Sequence, residues 1–223
     1  MTDRYTSYAD LCRNHRENED YRIVRRPGAL PVLILAPHGG EIEPFTSELA
    51  DLIAGDDFGY YSLVGEMRRH NFECLHITSH RFDEPLALEA LAGADVVLAI
   101  HGARGDHAFV MIGGLDARLT AALERSLLAA GFTVEPPAAG LAGRHPRNIC
   151  NRGRRRVGAQ LELSAALRRE LRRDPTIRTR FVEAVRSAIF EVLESERDGL
   201  PFPEGAMSVA AAIGSRADRL DME

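Results

Sequence analysis

Two continuous apolar runs stand out along the chain. PVLILA at residues 31–36 and ADVVLAI at residues 94–100 show no alternation of apolar and polar positions. Strands that are buried on both faces, as in parallel sheets, have this pattern. The pattern therefore predicts two central strands of a parallel arrangement.

Segments with helical periodicity lie between and after these runs. Apolar residues recur with helical spacing over residues 45–53, 115–127 and 177–192, and glycines at 55 and 131 suit the ends of the first two helices. Shorter strands are predicted at YYSLV, ECLHIT, AFVMI, FTVEP and GAQLEL. Strands that alternate with helices predict an α/β fold, with a mixed, mostly parallel central sheet covered by helices on both faces.

The length of the chain favours one domain. With 223 residues and 45% hydrophobic composition, the chain can bury a substantial core. We expect a single domain over residues 1–223, with a core at about 20–196, a helical N-terminal segment at 1–19 and a C-terminal tail at 200–223.

Charge and cysteine content exclude several classes of protein. The net charge is −5, so no global basic field would attract nucleic acid or an anionic membrane. The three cysteines show no CxxC pairing, which argues against a disulfide framework and a thiolate zinc site. No apolar run approaches the roughly 20 residues that cross a bilayer, and the N-terminal residues do not resemble a signal peptide. We expect a cytoplasmic protein, and the sequence leaves its oligomeric state open.

Both central strands are followed by the same dipeptide, His38-Gly39 and His101-Gly102. The carboxyl ends of parallel strands form the ligand-binding crevice of open α/β sheets, so the two histidines are expected to face one cavity. Glycine after each histidine is expected to let the backbone turn sharply. Either histidine alone would ordinarily have a structural role, but Glu43 lies in the same turn as His38. Pro44 suits the first position of the helix that follows, which would make Glu43 its N-cap. Two imidazoles and one carboxylate leave a zinc ion one open position, as in catalytic sites.

A candidate general base follows in the segment VGAQLELS at residues 157–164. Strand alternation places Gln160 and Glu162 on one face and two leucines on the other. Glu162 lies near the predicted strand end, where a carboxylate can accept a proton from water and pass it to a leaving amine. The alternative is an exposed acid on an edge strand. The other histidines receive no chemistry, although His107 is close enough to His101 to be a substitute base.

Arginines are concentrated in the loop at residues 142–156, which contains Arg144, Arg147, Arg152, Arg154, Arg155 and Arg156. Guanidinium groups bind carboxylates in a bidentate manner, so an acidic substrate is one interpretation and a solvated loop is the other. Arg152 is the first candidate for a carboxylate contact. Arg104, three residues after His101, is the second.

Several segments together resemble one known family. DYRIV, LAPHGGEIEP, LHITS, FDEP, IHG, IGGLD, NICNRG and QLELS, in this order, resemble the phage-related poly-γ-glutamate hydrolase family over roughly residues 20–170. The resemblance implies a zinc carboxypeptidase-like (phosphorylase/hydrolase-like) fold, one Zn²⁺ per chain and cleavage of γ-glutamyl amide bonds. His38, Glu43 and His101 fall on its zinc-ligand positions, and Glu162 falls on its catalytic carboxylate.

Two details depart from the wider carboxypeptidase pattern. The spacing His-x-x-Glu of that pattern would select Glu41, whereas the turn of the hydrolase family selects Glu43, which we adopt. Asn151-Arg152 resembles the carboxylate-binding pair of carboxypeptidases, but it follows the third ligand in chain order.

The leading hypothesis is a zinc-dependent hydrolase that acts on an acidic polymer or a glutamyl-containing small molecule. One alternative is another zinc amidohydrolase, for N-acyl amino acids or cell-wall amides. A second alternative is a nucleic-acid-binding replication accessory protein that uses residues 154–156, which the net charge disfavours.

Overall fold

The structure, a computed structural model, describes residues 3–197, so the predicted tail at residues 200–223 lies outside the described residues. Within this range seven strands form one sheet in the order β1-β3-β2-β4-β7-β5-β6. Their bounds are β1 Tyr21–Arg26, β2 Val32–Gly40, β3 Gly59–Gly65, β4 Val96–Ala103, β5 Val110–Gly114, β6 Val134–Glu135 and β7 Ala159–Ser164.

The centre of the sheet is parallel. Strand β2 pairs in parallel with β3 and β4, and β4 pairs in parallel with β7. Strand β1 pairs antiparallel with β3, and β5 pairs antiparallel with β7 and in parallel with β6. The predicted α/β fold with a mixed, mostly parallel sheet is confirmed.

Seven α-helices and one 3-10 helix accompany the sheet in the described range. They are α1 Tyr8–Leu11, α2 Thr46–Ala54, α3 Asn71–Leu75, α4 Pro85–Ala92, α5 Ala117–Ala129, the 3-10 helix Ile149–Arg152, α6 Ala165–Arg173 and α7 Pro175–Arg197. Residues up to Val192 form one compact unit, and residues from Leu193 onward are grouped separately, with only the end of α7 described. The single-domain organisation over residues 1–223 stays a prediction.

The continuous apolar character of β2 matches its burial on both faces. Leu33 and Leu35 belong to a core cluster that also contains Leu75 of α3 and Leu91 of α4. Strand residues alternate between faces, and the intervening Ile34 is fully buried as well. Helix α2 packs against β2 and its neighbours β3 and β4. The strand is therefore covered on both sides, as an apolar run without alternation predicts.

Two local expectations were wrong. ECLHIT is not a strand: α3 occupies Asn71–Leu75, and β2 already has a partner on each edge. The side chain of Asn71, the first residue of this helix, accepts a hydrogen bond from Met67 N and donates one to Met67 O. Helix α2 begins at Thr46 after the left-handed residue Phe45 (φ 76°), so Glu43 belongs to a separate turn and does not cap it.

The described helices include none that is both long enough and apolar enough for a membrane crossing.

Ser164 joins the end of β7 to the start of α6, and its hydroxyl group is fully engaged. It accepts hydrogen bonds from Phe109 N (3.2 Å) and Leu167 N (3.1 Å) and donates one to His107 O (2.8 Å). Ser164→Ala should lower the free energy of unfolding by about 1–2 kcal/mol, because it removes a helix cap and a buried donor. Ser187→Ala, at an exposed site on α7, is the control and should change stability by less than about 0.5 kcal/mol. Equal effects in urea denaturation would contradict this assignment.

Candidate active site

Three buried polar side chains meet at the carboxyl end of the central strands. His38 lies in β2, His101 lies in β4 and Glu43 lies in the turn after β2. His38 Nδ1 is 3.1 Å from Glu43 Oε1 and 3.2 Å from His101 Nδ1, and His101 Nδ1 is 3.5 Å from Glu43 Oε2. Zinc–ligand bonds of about 2.0–2.1 Å place the ligand atoms of a tetrahedral site about 3.3 Å apart. These three side chains therefore have the spacing of ligands to one ion.

The hydrogen bonding of His38 leaves its inner nitrogen available as a ligand. His38 Nε2 lies 2.8 Å from Ile77 O, and a carbonyl oxygen only accepts, so Nε2 carries the hydrogen. In the neutral ring Nδ1 then holds a lone pair that faces Glu43 Oε1. Two buried acceptors 3.1 Å apart need a proton or a metal ion between them. The donor set therefore fits a metal ion. Ile77 O accepts the hydrogen of His38 Nε2 and so orients the imidazole ring, as such acceptors do for histidine ligands in metal sites.

Glu43 is held as a carboxylate. Its burial would raise its pKa, but the neighbouring His38 and His101 rings outweigh this effect and hold the pKa of Glu43 well below its usual range. Glu43 Oε2 also accepts a hydrogen bond from Gly102 N at 2.8 Å. Glu41, the alternative ligand of the carboxypeptidase spacing, is exposed and lies outside the residues that line the cavity.

His76 is a third histidine near Glu43. One potential ligand atom from each of His38, Glu43 and His76 lies within 4.8 Å of the others. His76 Nδ1 lies 2.7 Å from Asp3 Oδ1 and carries a hydrogen, because the carboxylate accepts, so Nε2 is free and lies 4.0 Å from Glu43 Oε1. His101 Nδ1 lies 3.5 Å from Glu43 Oε2 and 3.2 Å from His38 Nδ1. The distance to Glu43 is therefore shorter for His101 than for His76.

The environment of His76 keeps its ring neutral. Burial, together with the adjacent His38 ring at a centroid distance of 4.1 Å, lowers the pKa of His76 to about 4. Sequence reasoning gave His76 no chemical role. The available signal was its position in LHITS, one of the segments that resemble the hydrolase family.

Glu162 faces the same cavity from the neighbouring strand. It lies directly opposite His101 in the pairing of β4 with β7. Its Oε1 accepts a hydrogen bond from Gln160 Nε2 (2.9 Å), and Gln160 Oε1 accepts one from Asn148 Nδ2 (2.9 Å). Burial raises the pKa of Glu162 to about 7, although the attraction of His101 opposes it. A carboxyl group with this pKa exchanges its proton near neutral pH, as a general base requires.

The cavity at this site has a volume of about 850 Å³ and is lined by His38, Glu43, His101 and Glu162. Arg104 and Arg144 also line it, and both side chains are exposed. The arginine-rich loop therefore contributes Arg144 to the crevice.

Asn151 and Arg152 do not line the cavity. Asn151 is fully buried and donates hydrogen bonds to Gly143 O (2.8 Å) and His145 O (3.0 Å), which fastens the loop. Arg152 Nη1 donates to Phe82 O at 2.8 Å. The 3-10 helix at Ile149–Arg152 directs these two side chains into packing contacts, and sequence adjacency to β7 does not reveal this turn.

The arrangement defines a class of protein: an α/β protein with a buried histidine–carboxylate cluster in the crevice at the carboxyl ends of parallel strands. A family model for poly-gamma-glutamate hydrolase matches residues 5–193. The chain belongs to this family, which confirms the resemblance noted in its sequence.

Relatives in Bacillus subtilis (strain 168) agree with this family. The SPbeta prophage-derived UPF0714 protein YoqZ is 37% identical over 174 residues, which cover 76% of this chain and 61% of YoqZ. The UPF0714 protein YndL is 34% identical over 174 residues, which cover 76% of this chain and 67% of YndL. The chain thus spans less than two thirds of the length of YoqZ.

Solved structures also match the fold. A bacteriophage poly-gamma-glutamate hydrolase aligns with a TM-score of 0.80 and 27% identity, covering 86% of this chain and 99% of that protein. YndL in an apo, zinc-free form aligns with a TM-score of 0.77 and 30% identity, covering 88% of this chain and all of that one.

The two acids of the turn after β2 should differ in metal binding. Glu43→Gln should weaken zinc binding by more than the roughly 10–100-fold that is typical of changes outside the ligand shell. Glu41→Gln is the matched control and should bind as the parent does, because its side chain is exposed. Competition titration with a chromogenic chelator measures both affinities. Loss of binding in the Glu41 variant alone would reverse the assignment.

The two histidines beside Glu43 should also differ. His101→Ala should lose zinc binding as Glu43→Gln does, whereas His76→Ala should retain affinity to within about 10–100-fold, the range for an outer residue. The same titration tests this expectation. Stronger loss in the His76 variant would make His76 the third ligand.

Proposed function

We propose that this protein is a zinc-dependent hydrolase that cleaves γ-glutamyl amide bonds of poly-γ-glutamate or a related acidic substrate. The observation that carries the proposal is the buried cluster of His38, Glu43 and His101 at ligand spacing, with Glu162 in the same cavity. The zinc-free apo form of YndL supports zinc as the metal. The family and the bacteriophage hydrolase support the substrate class.

Four polar residues of the cavity have roles in this mechanism. His38, Glu43 and His101 would hold one zinc ion, which supplies a Lewis acid for the scissile carbonyl and makes water more acidic. Glu162 accepts the proton of the attacking water and then donates it to the leaving amide nitrogen. The pKa of Glu162, raised by burial to about 7, supports both transfers near neutral pH.

Recognition of an acidic substrate falls to Arg104 and Arg144 in this proposal. Both line the cavity, both are exposed, and neither forms an ion pair with an acid among the residues that the structure describes. A guanidinium group binds a carboxylate with two parallel hydrogen bonds. Two such groups beside the cleft suit a chain that carries a carboxylate on every residue.

Replacement of the general base should separate chemistry from metal binding. Glu162→Gln should retain zinc but lose about 10²–10⁴-fold in kcat, because the amide keeps the shape and cannot accept the proton at neutral pH. Single-turnover hydrolysis of a γ-glutamyl peptide, together with metal analysis, measures the two effects. Turnover close to that of the parent would assign the base to another residue, with His107 as the candidate named from the sequence.

Loss of a cleft arginine should weaken binding of acidic substrates. Arg144→Gln and Arg104→Gln should each raise KM for γ-glutamyl peptides by roughly 10-fold, since a charge-assisted hydrogen bond contributes about 1.5–3 kcal/mol. Arg118→Gln, at an exposed position on α5, is the matched control for loss of one positive charge.

A substrate panel completes this test. The panel contains γ-linked glutamyl peptides, α-linked glutamyl peptides and neutral N-acyl amino acids. If both cleft variants cleave γ-linked peptides as the parent does, the acidic-substrate proposal is wrong and a neutral acyl amide becomes the better candidate.

A further inference from the structure

Arg168 occupies the first turns of α6 and binds three separate segments of backbone. Its Nη1 donates to Pro44 O at 2.8 Å, its Nε to Leu163 O at 3.2 Å and its Nη2 to Ala103 O at 3.2 Å. The planar guanidinium group presents its donors in a fixed fork, so one side chain can satisfy three acceptors that lie in different directions. A lysine ammonium cannot span the same set.

Each of these carbonyl groups lies next to a residue of the candidate site. Pro44 follows Glu43, Leu163 follows Glu162, and Ala103 lies two residues after His101. Strand pairing joins β4 to β7, but the turn that carries Glu43 lies outside the strands. Arg168 therefore connects this turn to the ends of both strands.

The glycine after His101 is explained by the same side chain. Gly102 is absent from the glycines with positive φ, so its backbone does not need glycine for conformational reasons. A Cβ atom at Gly102 would lie 2.7 Å from Arg168 Cζ. Gly102 thus leaves room for the guanidinium group, and the expectation that this glycine permits a sharp turn was wrong.

We propose that Arg168 is a positioning residue that holds Glu43, His101 and Glu162 in their relative geometry. It acts through the backbone of these residues and does not line the main cavity. The inference rests on the proposed function of the site. If the guanidinium group of Arg168 is lost, the zinc affinity of the cluster and the rate of proton transfer should therefore fall together.

The test compares Arg168→Gln and Arg168→Lys with Arg173→Gln, which removes an exposed arginine from the same helix. Both Arg168 variants should weaken zinc binding and lower kcat by about 10–100-fold, the range for residues that orient metal ligands. KM for a γ-glutamyl peptide should change less than about twofold, because Arg168 does not line the main cavity. Arg173→Gln should match the parent. An Arg168→Gln protein that matches the parent in zinc affinity and kcat would overturn the proposal.

A second readout needs neither metal nor activity. The amide of Gly102 donates to Glu43 Oε2 at 2.8 Å, across the junction that Arg168 fastens. Native-state hydrogen exchange at this amide should accelerate at least about 10-fold in Arg168→Lys, which keeps charge and most of the stem, because local opening becomes easier. Unchanged exchange at Gly102 would overturn the proposal even if the variant were less stable overall.

Chemical rescue distinguishes positioning from a general loss of stability. Arg168 lines a cavity of about 220 Å³ that also borders Glu43 and Arg104, so a small cation can enter when the side chain is removed. Millimolar guanidinium should restore part of the kcat of Arg168→Ala, whereas methylammonium should not; equal responses to both ions would contradict the fork geometry. If the parent protein neither binds zinc nor hydrolyses the peptides, the proposed function fails, and exchange at Gly102 still decides the role of Arg168.

Discussion

Parallel pairing of β2, β4 and β7 is the constraint on which the candidate site depends. Neighbouring parallel strands end at the same edge of the sheet, so residues far apart in sequence are brought together without a long-range loop contact. His38, His101 and Glu162 lie one on each of these strands. The pairing register then sets Glu162 opposite His101, and a single turn after β2 returns Glu43 to the same point.

The local pattern of apolar and polar residues was sufficient to predict the elements whose formation depends on burial. Apolar runs without alternation predicted β2 and β4, and the two His-Gly dipeptides indicated where these strands end. Alternation in the last strand was enough to place Gln160 and Glu162 on one face, and the structure joins their side chains by a hydrogen bond. These features follow from periodicity, which is a property of short segments.

The features that sequence reasoning missed depend on contacts between distant segments. His76 approaches the cluster because α3 replaces the predicted strand and because Asp3, near the N-terminus, binds its ring. Arg144 lines the cavity, whereas Arg152 does not, because Arg152 ends a 3-10 helix and its side chain binds Phe82 O. Both His-Gly glycines serve close packing, since a Cβ atom at Gly39 would lie 2.2 Å from Ser62 Oγ. No local pattern reports these distances.

The positions of the arginines around the cleft say more about the charge of a binding partner than the net charge of the protein does. Two members of the arginine-rich loop are engaged by acids: Arg154 Nε donates to Asp95 Oδ1 at 2.7 Å, and Arg155 lies 3.4 Å from Asp116. These two pairs reduce the positive charge that residues 154–156 can offer to the phosphates of a nucleic acid. Arg144 and Arg104 border the cavity without such partners in the described part of the chain. A protein of net charge −5 thus has two arginines at its cleft that form no ion pair among the described residues.

The two acids of the cavity differ in environment, and this difference separates their roles. Glu43 is surrounded by the His38 and His101 rings and by the amide of Gly102, which all favour its charged form. Glu162 receives its side-chain hydrogen bond from the neutral amide of Gln160, and the negative charge of Glu43 adds to the effect of burial. Their pKa values consequently move in opposite directions within one cavity. When the pKa values of two carboxyl groups are shifted in opposite directions, one group stays charged and the other can exchange its proton near neutral pH. The ligand role proposed for Glu43 and the base role proposed for Glu162 agree with this electrostatic contrast, because the reverse assignment would require each carboxyl group to work against its surroundings.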